Sequence, residues 1–300
     1  MPEVEPKKYK LDVVLPTHNH ARLTMGCIDY LYAHTAHSFH LIIVDDSGDI
    51  TKRYVKELMK EKDNITYIHS DKAYKSGNQI FNIGLKNCKT PYMATVMNSI
   101  EVEPDWDIAP LKIMQREQDV GTIGMKCLFA RNGLVECAGI YIHDYLPCDI
   151  GRDEASHRLS EIYQCEATQW AFAIHRVEAL KGNLEENTYH GFVGVDDIDN
   201  CFMLRHKGWR IMECGISVGY HHPRATRGRN DEEGYYLNRE NLEVFYKRWG
   251  YWEDFHRQNE EIPERLNGIK MIDNGREMLE RELKEGKVKY ARSALTTTKE

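Results

Sequence analysis

Two apolar rhythms alternate through the first hundred residues. The runs "LDVVLP" (11–16), "FHLIIVDD" (39–46), "ITYIHS" (65–70) and "YMATVMNS" (92–99) are short, mostly apolar and rich in β-branched residues, so each predicts a buried strand. Pro16 is expected to end the first of them. Between the strands the apolar spacing is helical. Leu23, Cys27, Ile28 and Leu31 share one face, then Tyr54, Val55, Leu58 and Met59, and "NQIFNIGLKNC" (78–88) continues the pattern. Strands alternating with helices of this length predict an α/β fold, with right-handed crossovers and a mostly parallel central sheet flanked by helices. Ligands of such sheets collect at the carboxyl ends of the strands. Here those ends carry Pro16 and Thr17, Asp45 and Asp46, and Ser99 to Glu101.

The middle third is less regular. "DVGTIGMKCLF" (119–129) and "VECAGIYI" (135–142) read as strands, "NG" at 132–133 as a hairpin turn, and "EATQWAFAIHR" (166–176) as a further buried strand. Residues 144–164 read as a polar loop. From about 226 the chain becomes charged and poor in strand formers, which predicts a helical extension over 226–300 behind a main domain of 1–225. Its last residues, "SALTTTKE", are expected to be a disordered tail.

Composition removes several classes of function. A formal charge of −7 argues against a general nucleic-acid-binding surface. No apolar run reaches the roughly 18 residues of a membrane span. The eight cysteines contain no C-x-x-C pair, which indicates reduced thiols and a cytoplasmic location, with contact at a membrane surface left open. His34, His37 and His40 are three apart, but the third falls in the next strand, so this spacing is a weak metal motif.

One stretch needs a chemical account. In "GVDDIDNCFMLRHKGWRI" (194–211), Asp196, Asp197 and Asp199 crowd the start of a helix whose buried stripe is Ile198, Cys201 and Phe202. Capping explains one aspartate, at roughly 0.5–2 kcal/mol. Two carboxylates about 6 Å apart repel by roughly 3 kcal/mol at an effective dielectric of about 20, and by less than about 1 in water. A solvated cluster therefore needs no function, whereas a half-buried one needs a cation or a chemical task.

The order of these motifs resembles the family 2 glycosyltransferases, from about residue 11 to 250. The parts that carry the likeness are "VVLPTHNHARLT", "LIIVDDSGD", "FNIGLKNCKTPYMATVMNSIEVEPDW", "VGTIGMKCLF", "AGIYI", and "GVDDIDNCFMLRHKGWRI" leading to "GYHHPRATRGR". The resemblance implies a GT-A nucleotide-binding fold and inverting transfer of a sugar from a nucleotide diphosphate to a glycan, lipid-linked or protein acceptor. It places donor-nucleotide contacts at Pro16, Thr17, Asn19, Asp45, Asn98 and Ser99. It makes Asp197 the general base, with Asp196 shaping the acceptor side, and it leaves Asp199 to cap the helix.

The metal motif departs from the family. Two carboxylates flanking one residue normally hold Mg²⁺ or Mn²⁺, but the matching triplet here is Ser99-Ile100-Glu101. Three arrangements stay open: a metal on Glu101 with His221 or His222, neutralisation of the diphosphate by Arg224 and Arg227 instead, or loss of activity. Gln169 and Trp170 are candidates for the acceptor pocket, and Trp170 suits core packing equally well. Tyr235, Tyr236 and Trp249 read as packing residues. The competing functions are a non-catalytic sugar-nucleotide-binding or assembly module and a nucleotidyltransferase; "PTHNHARLT" lacks the glycines expected of the latter. The charged C-terminal helices leave homo-oligomerisation and peripheral membrane docking open.

Overall fold

The computed structural model describes residues 9–143, 146–191, 195–223, 232–255, 264–266 and 268–286. Three βα units and a fourth strand open the chain. They are β1 (Leu11–Thr17) with α1 (Ala21–His34), β2 (Phe39–Asp45) with α2 (Thr51–Leu58), β3 (Ile65–His69) with α3 (Gly77–Asn87), and β4 (Tyr92–Val96). β1 pairs in parallel with both β2 and β4, and β2 pairs in parallel with β3. Pro16 does not end its strand. β1 runs through it to Thr17, with Pro16 set opposite Val44.

Alternation along these strands loads two cores. Val13, Leu15, Leu41 and Ile43 face α1 and α2, while Val14, Ile42 and Val44 face α3 and the helices that follow. The sheet therefore has helices on both sides, as its uninterrupted apolar strands require. Of the helical faces read from the sequence, Cys27, Ile28, Leu31 and Val55 are buried, whereas Met59 is exposed.

The second half of the sheet is mixed. This part of the chain contains β5 (Ile100–Val102), α4 (Ile108–Arg116), β6 (Val120–Phe129), β7 (Val135–Cys137), β8 (Ile140–His143), β9 (Leu146–Asp149), β10 (Ile162–Gln164), β11 (Phe172–Arg176) and the short α5 (Val177–Leu180), with β8 and β9 pairing as a separate two-stranded sheet. α6 (Asp196–His206) and β12 (Arg210–His221) complete it. The strand order is β10-β12-β6-β11-β4-β1-β2-β3, with β5 on β12 and β7 on β6. β11 enters antiparallel between β4 and β6, while β6 and β12 pair in parallel, so the sheet is mixed beyond β4. The expected hairpin joins β6 to β7, and Gly133 takes φ +69° in its turn. The segment read as a polar loop contributes two strands, β9 against β8 and β10 against β12.

Beyond residue 226 the structure shows α7 (Glu232–Arg248), α8 (Trp252–Phe255), a 3-10 turn at Glu264–Leu266 and α9 (Gly275–Lys284). Phe245, Trp249, Met278 and Leu279 join the core formed by α3 and α6. The proposed disordered tail lies outside the described residues. Among those residues no helix is long and apolar enough to cross a membrane.

His175 of β11 is fully buried between the hydroxyls of Thr95 and Thr122, at 3.1 and 3.0 Å. Burial pushes its pKa down to about 3. Between that value and the ordinary 6.5 only the unfolded chain holds the proton, so stability falls as pH drops below 6.5. From pH 7 to pH 5 the native protein is expected to lose about 2 kcal/mol from this group. Urea denaturation of wild type and His175→Gln at both pH values measures it, and the variant should lack that part of the slope.

Candidate active site

The ends of β1 and β2 form the first part of the site. Thr17 and Asp45 are paired directly in the ladder, and both side chains are buried. Asp45 Oδ1 accepts from Thr17 Oγ1 (2.7 Å) and the Ser47 amide (3.0 Å). Its Oδ2 meets the Tyr67 hydroxyl (2.5 Å) and His69 Nδ1 (2.9 Å). Burial works against the charge, but the bonds from Ser47, Tyr67, Thr17 and His69 outweigh it and hold the carboxyl below its usual range. The sequence reading offered Asp45 as an open contact for a nucleotide base. In the structure its four bonds all go to the protein.

The loops above it are stitched together. Asn19 and His20 both take positive φ, 52° and 54°, a conformation that costs non-glycine residues energy and needs support. The Asn19 amide donates to Ser47 Oγ (2.7 Å), and Asn19 Oδ1 accepts from the Gly48 amide (2.9 Å). Asp49 accepts from the first amides of two helices, Ala21 (3.0 Å) and Thr51 (2.9 Å). Asp46 bonds His18 Nδ1 (2.8 Å) and the Tyr74 amide (2.8 Å). A rigid rim results, with His18 half-exposed on it.

The second part forms where β5 hooks onto the end of β12. Glu101 lies opposite Tyr220 in that ladder, and the His222 amide donates to the Ser99 carbonyl (2.9 Å). Glu101 Oε1 and His222 Nε2 are 2.8 Å apart, both about one-third exposed. Two adjacent ligands on a six-coordinate ion with bonds of about 2.1 Å stand about 3 Å apart, so this pair fits one Mg²⁺ or Mn²⁺ if a diphosphate and water fill the remaining positions. His221 alternates to the other face, where its Nδ1 bonds Glu136 (2.7 Å), so it does not join the pair. Asn98 is buried and donates to Thr24 Oγ1 (3.1 Å), tying this turn to α1. Among the described residues no three His, Cys, Asp or Glu side chains cluster as a complete metal cage. His34, His37 and His40 go separately to the Val102 carbonyl, Asp107 and Asp12. Arg224 and Arg227 lie outside the described residues.

The third part is the first turn of α6. Asp197 is partly buried; its Oδ1 accepts from the Ile198 amide (2.9 Å) and its Oδ2 from the Trp170 amide (3.4 Å). Desolvation first, and then the charge of Asp196, raise its pKa well above the carboxylate range. Asp196 lies against the start of α3, where a Cβ on Gly77 would fall 2.8 Å from its Oδ2. Asp199 does not cap the helix. It is buried on the far side, accepting from Trp249 Nε1 (2.6 Å), with Arg248 Nε at 3.1 Å.

Trp170 itself is core, 1% exposed and packed on Phe81 and His175, so its ring offers no face to a sugar. Gln169 reaches toward Asp149 of β9 (3.4 Å), and its other amide atom is buried without a hydrogen-bond partner. Asp149, inside the supposed loop, is the acid that sequence reasoning missed. Tyr67 and His69 were also missed, although their i, i+2 spacing put them on one strand face. A cavity of about 530 Å³ opens beside β12, where its register on β6 shifts between Cys214 and Val218, lined by Glu103, Lys126, Ser156, Ile216 and Tyr220; neither Asp45 nor Asp197 lines it.

These parts share one end of the sheet. Because β11 runs against β4, Trp170 and Ala171 stand at the carboxyl end of β4, where the Met97 amide bonds the Ala171 carbonyl (2.9 Å). Asp197, held by Trp170, is thus on the same end as Thr17 and Asp45. Three strand spacings, about 14 Å, separate β11 from β2.

Residues 12–126 match the sequence profile of Glycosyl transferase family 2. Similar solved structures include GalNAc-T7 with UDP, GalNAc and Mn²⁺, at TM-score 0.66 and 13% identity, covering 94% of this chain and 58% of that one. This is the GT-A fold of the family 2-like glycosyltransferases. A mannosyltransferase from Pyrobaculum calidifontis in complex with GDP-Man and Mn²⁺ shares it at TM-score 0.55 and 13% identity, over 93% of this chain and 75% of that one. TarS 1-349 of S. aureus matches at TM-score 0.51 and 12% identity, over 92% of both chains. Among curated proteins, the uncharacterized protein y4gI of Sinorhizobium fredii (strain NBRC 101917 / NGR234) is 21% identical over 254 residues. That covers 80% of this chain but only 27% of the relative's length. Asp197 and His222 lie beyond the residues matched to the family.

Asp45→Ala is expected to orphan four donors and destabilise the fold by roughly 3 kcal/mol or more. Asp45→Asn, which keeps an acceptor, should cost less, and urea denaturation of both variants checks the difference.

Proposed function

We propose that the chain is an inverting glycosyltransferase, moving a sugar from a nucleotide-diphosphate donor to a hydroxyl of a glycan, lipid-linked or protein acceptor. The observation that carries this reading is Asp197, a partly buried carboxylate of raised basicity at the same end of the sheet as Thr17 and Asp45. The acceptor hydroxyl gives its proton to Asp197 as its oxygen bonds to the anomeric carbon. On the opposite face the bond from that carbon to the phosphate oxygen breaks, and the diphosphate leaves with the electron pair. One base suffices because a diphosphate is a stable leaving anion, unlike the alkoxide of a glycoside. A positioned base of this kind contributes about 10²–10⁴-fold.

Glu101 and His222 would hold a divalent ion against the donor diphosphate, with Ser99 beside them. Bound there, the ion would supply Lewis-acid neutralisation of the leaving charge. Two solved relatives of this fold carry Mn²⁺ with UDP or GDP-Man, which supports a nucleotide-sugar donor and this ion. The nucleotide itself would lie over the rim that Asp45, Asn19 and Asp49 stiffen, among Pro16, Thr17, Asn98 and Ser99. Gln169 and Asp149, beside the base, would face the acceptor. A second reading, donor binding without turnover, draws on Ser99, where the family has a charged ligand.

Nucleotide release from a panel of UDP- and GDP-sugars, with and without Mn²⁺, separates the two readings. Asp197→Asn should lower release by 10²–10⁴-fold while leaving nucleotide affinity within a few-fold of wild type. If wild type releases nucleotide from no donor in the panel, the catalytic reading is lost.

The base must be deprotonated to act, so activity is lost as pH falls through its pKa. With that pKa raised, the acid limb of kcat/KM should lie clearly above the ordinary carboxylate range near 4. Asp196→Asn removes the neighbouring charge and should move the limb to lower pH. An unmoved limb would detach it from Asp197. His222→Ala should weaken Mn²⁺ binding at least tenfold by calorimetry in the presence of UDP.

A further inference from the structure

The first turn of α6 has no side-chain cap; its N-cap residue is Val195. It is held by other parts of the chain. Asn200 exchanges two hydrogen bonds with Asn78 of α3, at 2.7 and 3.2 Å. Asp199 points the other way from Asp197, since two helical residues turn about 200°. It ends between Trp249 Nε1 (2.6 Å) and Arg248 Nε (3.1 Å), at the end of α7. All three side chains are buried, with Trp249 fully enclosed and its ring on Phe202 at 5.2 Å. Arg248 is in turn fixed by Glu185, which accepts two parallel bonds of 2.8 Å. At the other end of α6, Arg205 pairs with Glu282 of α9 and bonds the Glu166 carbonyl. The C-terminal helices therefore grip the helix that bears the base at both ends.

We propose that Trp249 and Arg248 are positioning residues for the base: by anchoring Asp199 they fix the turn that aims Asp197 into the cleft, so α7 is part of the catalytic apparatus. This rests on the assignment of Asp197 above. The physical case is that Asp199 is one peptide unit beyond Ile198, whose amide bonds Asp197 Oδ1. A turn without a cap and with three acids has little local preference for one arrangement. An anchor from α7 selects it. Arg248 also neutralises a buried carboxylate that would otherwise oppose the fold.

The test uses the full chain with the donor that wild type turns over fastest in the panel above. Trp249→Phe deletes the indole N–H and keeps an aromatic ring; Asp199→Leu deletes the acceptor from the other side; Asp199→Asn restores an acceptor for Trp249. For the first two, kcat for nucleotide release should fall about tenfold or more, with donor KM and UDP or GDP affinity within about twofold of wild type. Asp199→Asn should recover most of kcat. Amide hydrogen exchange over residues 195–200 gives a readout free of turnover, and it should speed up in Trp249→Phe and Asp199→Leu but not across β1 and β2. Either variant suffices if the other fails to fold. Unchanged kcat and unchanged exchange in a folded variant would overturn the positioning role, as would a kcat loss that merely tracks loss of nucleotide binding. If Asp197→Asn itself leaves nucleotide release intact, the base assignment fails instead, and the exchange result still decides the anchor.

Discussion

Mutual repulsion among the carboxylates at the start of α6 has to be met somewhere, and the structure meets it by sending each acid to a different neighbour. Asp196 lies on the first residue of α3, Asp197 under the Trp170 amide, and Asp199 between Arg248 and Trp249. Asp197 accepts from two backbone amides rather than from a cation, and it remains partly exposed. Burying it raises its basicity, which is the property a proton-accepting group needs. Its neighbours stabilise the turn enough for the strained acid to persist, so the stability of the helix and the chemistry proposed for it have one origin.

The sheet supplies the second requirement, convergence. Were β11 parallel like β1 to β4, Trp170 would fall at the amino end of the sheet, away from Thr17 and Asp45. Running antiparallel, β11 begins at the carboxyl end, so Trp170, just ahead of it, stands there and meets Asp197 of α6. β5 does the corresponding task for Glu101 by adding to the end of β12 beside His222. Neither side chain is sequence-adjacent to its partner; the ladder register puts them within 2.8 Å.

At the end of β1 and β2, where the nucleotide is proposed to lie, Asp45 suits a stiffening role. Its carboxylate joins β1, β2 and β3 and the loop after β2, and the neighbouring loop residues Asn19 and His20 hold left-handed conformations that such a network can maintain. A pre-formed rim lowers the ordering cost of binding an extended donor. The chemistry-bearing groups that remain open on that rim, such as His18, come from loops whose conformation the network fixes.

By itself the sequence determined the βα alternation, the two-sided burial of β1, β2 and β4 (β3 at the sheet edge is only partly buried), the buried stripe of Ile198, Cys201 and Phe202, and the place of the aspartate cluster at a helix start. These follow from local periodicity and hydrophobicity, which a linear string carries. It misjudged Asp199 and the 144–164 segment, and it could not choose between pocket and core for Trp170 or between His221 and His222. Orientation across a mixed sheet, the pairing of Glu101 with His222, and the anchoring of α6 by α7 were decided only by tertiary structure. The reason is that hydrogen-bond partners fifty to more than a hundred residues apart leave no mark on local spacing, and whether a carboxylate is solvated, paired or left poised depends on what packs against it.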